Sequence, residues 1–197
     1  MSKILEYYFD FGSPAAYLAY TQLPALLADS GATALWRPML LGGVFAATGN
    51  ASPASVPAKG KYMFRDFARF AERYGVPFKF NPFFPINTLT LMRIAAGLQL
   101  GEDPRFADYC AVVFRAIWVD KQNMNDAPTV VGVLQASGLD APALLALASE
   151  QAVKDQLKAA TESAVARGVF GAPTFFVDDQ MFWGQDRLDF VREALAK

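Results

Sequence analysis

Pro173 constrains this chain more than any other residue. It stands in Gly168-Val169-Phe170-Gly171-Ala172-Pro173-Thr174-Phe175-Phe176-Val177, directly before a run of β-branched and aromatic residues. Proline has no N–H to give a β-ladder, so it belongs at an edge, a bulge or the first residue of a strand. Two readings of the Ala172–Pro173 bond are open. A trans proline would begin an ordinary strand. A cis proline, the minority state for X–Pro, would turn the backbone N–H and C=O of Ala172 outward, ready to pair with an extended peptide.

The other end of the chain reads Ile4-Leu5-Glu6-Tyr7-Tyr8-Phe9-Asp10-Phe11-Gly12-Ser13-Pro14. The short apolar and aromatic run from Ile4 to Phe9 predicts a buried strand. Ser13 before Pro14 fits a helix N-cap followed by proline at the first helical position. That helix extends through Leu23, Leu26 and Leu27 to a C-terminal stop at Gly31, with Thr33 to Arg37 as the next strand. Strand, helix and strand at the start, then strand, hairpin and helix at the end, is the order of a thioredoxin fold. Between them the spacing predicts a loop over Leu40–Pro57, then a helix over Lys61–Tyr74. After an extended Pro77–Pro85 segment comes a helix capped by Asn87. Further helices are expected over Pro104–Lys121, Ala127–Ala136, Ala141–Leu147 and Glu150–Arg167. The expected class is α/β: a discontinuous thioredoxin-like domain of residues 1–45 and 165–197, with an all-helical domain inserted over 46–164.

Histidine is absent and there is one cysteine, Cys110, in an apolar helical stretch. An intrachain disulfide, a zinc site of the Cys/His type and a Ser-His-Asp system are all excluded. The redox position at the first helix start holds Ser13-Pro14-Ala15-Ala16, so the protein's own thiols perform no disulfide exchange. Cys110 reads as a small packed hydrophobe. With 53% hydrophobic residues, the chain of 197 can bury a sizeable core. Its net charge of −1 gives no electrostatic reason for a nucleic-acid or acidic-membrane partner. No apolar stretch is long enough to span a bilayer, and the first residues lack the pattern of a signal peptide, which predicts a cytoplasmic protein.

Taken together, the segments resemble the 2-hydroxychromene-2-carboxylate isomerase family, relatives of kappa-class glutathione transferases and DsbA-type thioredoxin-fold proteins. The resemblance rests on Phe9-Asp10-Phe11-Gly12-Ser13-Pro14, on Leu41-Gly42-Gly43-Val44-Phe45 with Gly49-Asn50, and on Val56 to Tyr62. Phe114 to Trp118, the Pro173 segment and Phe182-Trp183-Gly184-Gln185-Asp186-Arg187 complete it. It implies glutathione as cofactor, a small aromatic substrate and a homodimer. It assigns Ser13 as the catalytic residue, its hydroxyl donating to the glutathione sulfur at a helix start that favours an anion. As a bare sequence feature, Ser13 reads as a helix cap.

The other cofactor contacts implied are Ala172 and Pro173 for the cysteinyl backbone, and Trp183, Gly184, Gln185 and Asp186 for the γ-glutamyl end. Asp186 would also cap the last helix. Asn50 and Lys59 would reach the tripeptide from the inserted domain; without the resemblance, Lys59 is an ordinary solvated lysine. Phe45, Tyr62, Phe83, Phe84 and Trp118 are candidates for a flat aromatic pocket or for core packing. One departure concerns Ala46-Ala47, where many naphthalene-pathway relatives carry a lysine after the Phe45 position. A kappa-like transferase or peroxidase, and a non-catalytic thioredoxin-fold peptide-binding module, therefore stay open beside the isomerase.

Overall fold

Strand β1 (Ile4–Phe9) lies inside a four-stranded sheet, with β2 (Thr33–Pro38) parallel on one side and β3 (Thr174–Val177) antiparallel on the other. Strand β4 (Gln180–Trp183) closes the order β2-β1-β3-β4. The computed structural model describes residues 3–197, so the part of the N-terminal reading that rests on Met1 and Ser2 lies outside the described residues. The continuous apolar run of β1 follows from burial on both faces. Leu5, Tyr7 and Phe9 point into the larger hydrophobic cluster with Phe175 and Val177. Tyr8 and Phe176 point the other way, against Met39, Val44, Ala164 and Val169. This is the two-residue period of a strand read in three dimensions.

Helix α1 (Pro14–Ser30) packs on the larger cluster and ends at Gly31 in the left-handed region (φ 66°), as the sequence predicts. Between β2 and β3, the described residues form seven α-helices and one short 3-10 turn, Pro53–Ser55. The first of them, α2 (Leu41–Thr48), replaces much of the loop expected over Leu40–Pro57. Its two glycines argue against a helix by propensity, and tertiary contacts override them. Asp10 Oδ2 accepts from Leu41 N at 2.8 Å, and a Cβ on Gly43 would sit 3.1 Å from the Thr161 methyl. The expected division between residues 45 and 46 falls inside this helix.

Helix α3 (Pro57–Tyr74) begins four residues earlier than predicted, using Pro57 at its first position. The remaining helices are α4 (Leu89–Leu100), α5 (Phe106–Trp118), α6 (Ala127–Ala136), α7 (Ala141–Leu147), α8 (Gln151–Ala166) and α9 (Leu188–Leu195). Thr88, not Asn87, is the N-cap position of α4; Asn87 Oδ1 instead accepts from Leu89 N at 3.1 Å. One hydrophobic cluster runs unbroken from β1 and α1 into α4 and α5. Its aromatic polar groups are satisfied internally: Tyr7 Oη donates to Ala16 O (2.7 Å), Tyr109 Oη to Leu91 O (2.9 Å) and Trp118 Nε1 to Phe11 O (2.8 Å).

Cys110 is fully buried on α5, and desolvation pushes its thiol well above the ordinary range. A thiol in that setting is unreactive. Cys110→Ala is expected to cost about 1 kcal/mol or somewhat more in a urea titration, through the small void alone. Turnover should be unchanged; its loss in a folded variant would implicate the protein's own sulfur.

Candidate functional site

The site forms where α1 starts, beside the loop that precedes β3. Ser13 is buried (4% exposed) and extended (φ −94°, ψ 114°), and its Oγ accepts from Ala16 N at 3.1 Å, so it is the N-cap expected. The same hydroxyl donates to Ala172 O at 2.9 Å, joining the helix start to a residue 159 positions away. Pro14 has no N–H and Ala16 N is taken by the cap. Among the described residues Ala15 N–H finds no acceptor, so one amide at the positive helix end stays available to an anion.

The Ala172–Pro173 bond is cis, as is Phe84–Pro85. Ala172 N–H also lacks an acceptor among the described residues, whereas its C=O, expected to be open as well, is taken by Ser13 Oγ, so the anticipated backbone edge offers a donor alone. Pro173 O accepts from Gly184 N at 3.0 Å, which draws the turn after β4 to the same place. Gly184 adopts φ 105°, ψ 149°, a conformation essentially restricted to glycine. Trp183 packs on Phe170 with ring centroids 4.9 Å apart, and a Cβ on Gly171 would meet its Nε1 at 2.5 Å. Glycine at 171 is therefore what lets the indole lie over the loop.

Asn50 joins this assembly by donating from Nδ2 to Phe170 O at 2.9 Å. Gln185 is buried, and its carbonyl accepts from Tyr74 Oη of α3 at 2.9 Å. Thus Ser13, Asn50, Ala172, Pro173, Trp183, Gly184 and Gln185 belong to one connected region. Asp186 differs from expectation: it lies in a 3-10 turn (Gln185–Arg187), and neither that turn nor α9 has a side-chain cap. Its carboxylate pairs with Arg187 Nη1 at 2.6 Å instead, because the turn aims it along the surface. Lys59 sits exposed in the first turn of α3, and no hydrogen bond or ion pair joins it to Ser13 or Ala172. Of the aromatic candidates, Trp118 is wholly core; Tyr62 and Phe83 are exposed.

Asp10 is the residue that sequence reasoning missed. It is almost fully buried (2% exposed) and accepts three hydrogen bonds: Gly12 N at 2.8 Å, Leu41 N at 2.8 Å and Thr88 Oγ1 at 2.7 Å. Asp10 O accepts from Ser13 N at 3.0 Å. One carboxylate thus sets the approach to α1, the start of α2 and the start of α4 around Ser13. Burial pushes its pKa up, and the three donors oppose that shift. The available signal was a lone carboxylate between Phe9 and Phe11, since a charge in an apolar run needs partners.

Comparison with known proteins agrees with this architecture. Residues 4–196 match the family model of the DSBA-like thioredoxin domain. The chain is 36% identical over 200 residues to a 2-hydroxychromene-2-carboxylate isomerase of Sphingobium xenophagum, covering 99% of each. It is 25% identical to glutathione S-transferase kappa 1 of Rattus norvegicus, covering 99% of this chain and 92% of the relative. A solved structure of a 2-hydroxychromene-2-carboxylate isomerase superposes with a TM-score of 0.85 at 32% identity, covering 98% of this chain and 94% of that one.

Proposed function

We propose, for a chain that belongs to the 2-hydroxychromene-2-carboxylate isomerases within the DSBA-like thioredoxin domain family, a glutathione-dependent isomerisation of 2-hydroxychromene-2-carboxylate or a similar aromatic intermediate. The observation that carries this reading is the Ser13–Ala172 junction. It brings a hydroxyl, a free helix-start amide and a free strand-type amide together with no protein thiol beside them. That donor set fits an extended thiol peptide with an anionic sulfur. Bound glutathione would supply a thiolate that adds reversibly to a conjugated carbon, making a double bond rotatable before the sulfur departs.

The chain's own residues hold and polarise. Ser13 Oγ would turn its single hydrogen from Ala172 O to the bound sulfur, keeping the cap on Ala16 N, and Ala15 N–H would add positive potential from the helix start. Ala172 N–H pairs with the cysteinyl backbone, and the Trp183–Asp186 turn receives the γ-glutamyl end. Asn50 has its second amide hydrogen and Lys59 its ammonium available for the rest of the tripeptide. A glutathione requirement is in keeping with a cytoplasmic setting, and a homodimer is part of the same reading. The test is absorbance-monitored turnover of 2-hydroxychromene-2-carboxylate by the purified full chain. Conversion to trans-o-hydroxybenzylidenepyruvate is expected only with glutathione present. Conversion without it would remove the cofactor; conjugation of electrophiles without isomerisation would reassign the chain as a kappa-like transferase.

A further inference from the structure

A concavity of about 720 Å³ lies between α2, α4 and α8. Its floor is aliphatic, with Leu40, Leu89 and Leu157 among its lining, and Ala46 and Ala47 leave the α2 side open. Three cations line it: Arg93 from α4, and Lys154 and Lys158 one turn apart on α8. The single carboxylate of the lining, Glu162, lies 3.9 Å from Lys158 Nζ. Arg93 and Lys154 are half-buried, and among the described residues neither has an ion pair or a hydrogen bond from its side chain.

Two half-buried cations without a counter-ion, set over an aliphatic floor, are an incomplete electrostatic arrangement. A guanidinium is suited to bidentate pairing with a carboxylate, and an ammonium adds a point charge. Volume and composition fall in the range of small-molecule sites, in which apolar walls bury the body and a few polar groups fix its orientation. We propose that this groove binds an apolar monocarboxylate, its carboxylate between Arg93 and Lys154 and its hydrocarbon body over Leu40, Leu89 and Leu157. The site is separate from the Ser13 junction but adjoins it. Leu40 and Leu89 neighbour Leu41 and Thr88, two of the three residues whose donors reach Asp10. The proposal does not rest on the isomerase reading.

Calorimetric titration of the full chain with 1-naphthoate, decanoate and the neutral 1-naphthamide tests it. At least one carboxylate is expected to bind, with naphthamide at least tenfold weaker; the better carboxylate distinguishes an aromatic from an aliphatic occupant. Arg93→Gln and Lys154→Gln should each weaken binding about tenfold, as loss of a charge-assisted hydrogen bond does, and Arg93→Lys should retain most of it. Circular dichroism identifies any variant that fails to fold, in which case the salt dependence of wild-type binding replaces it. Saturating glutathione should change the carboxylate affinity less than tenfold. Equal binding of naphthamide and naphthoate, insensitivity to Arg93 and Lys154, or displacement by glutathione would each overturn the proposal. None of these outcomes depends on whether the isomerisation is observed.

Discussion

Replacement of Ser13 by alanine is expected to slow glutathione-dependent turnover at neutral pH by roughly tenfold to a hundredfold. That range follows from the 1.5–3 kcal/mol or so carried by a hydrogen bond to a charged group. Affinity for glutathione should change far less, because in the proposed binding mode Ala172 N–H and the Trp183–Asp186 turn would hold parts of the tripeptide distant from the sulfur. The variant also loses the cap on Ala16 N and the donor to Ala172 O, a stability loss of about 1 kcal/mol for the cap. Activity and stability effects are separated by titrating the ultraviolet absorbance of the bound thiolate against pH. In wild type the thiolate should persist to lower pH than in Ser13→Ala. Overlapping curves would return Ser13 to being a helix cap with no part in the chemistry.

Asp10→Ala should have the largest effect on folding. Gly12 N, Leu41 N and the Thr88 hydroxyl would each lose an acceptor in a buried or partly buried setting. At about 1–3 kcal/mol per unsatisfied group, partly relieved by water entering the void, a net loss of about 3 kcal/mol is expected in urea unfolding at pH 7. Asn is a poor substitute, since its NH₂ must face either Leu41 N–H or the Gly12 and Thr88 donors.

The pH dependence of this effect has a definite sign. Desolvation raises the carboxyl above its ordinary value of 3.8, so the native protein binds that proton more tightly than the unfolded chain. The contribution is therefore complete below pH 3.8 and declines as pH rises through the native pKa. The gap between wild type and Asp10→Ala should widen from pH 7 toward acid. A gap that narrows toward acid would mean that the three donors outweigh burial.

The helix cap at Ser13, the strand that begins after Pro173, and α6 and α7 to the residue were legible without coordinates, because each depends on local chemistry. Serine before proline satisfies orphan amides, proline cannot join a ladder, and three-to-four-residue apolar spacing marks a helix face. Helix α2 was not legible, since Gly42 and Gly43 favour a loop until Asp10 and Thr161, from elsewhere in the chain, accept from Leu41 N and Leu40 N just ahead of them. Asp186 was misread as a cap for the same reason: the turn that aims its carboxylate at Arg187 is set by Gly184 N bonding to Pro173 O. Sequence alone determined the order of the strands and of the helices other than α2, and the absence of histidine, whereas burial on α5 decided that the one thiol, Cys110, is unreactive. Only tertiary structure decided that one hydroxyl spans Ser13 and Ala172, that Asp10 ties three segments beneath it, and that Arg93 and Lys154 share a groove. Those are meetings of residues tens to more than a hundred positions apart, and local periodicity carries no information about such distances.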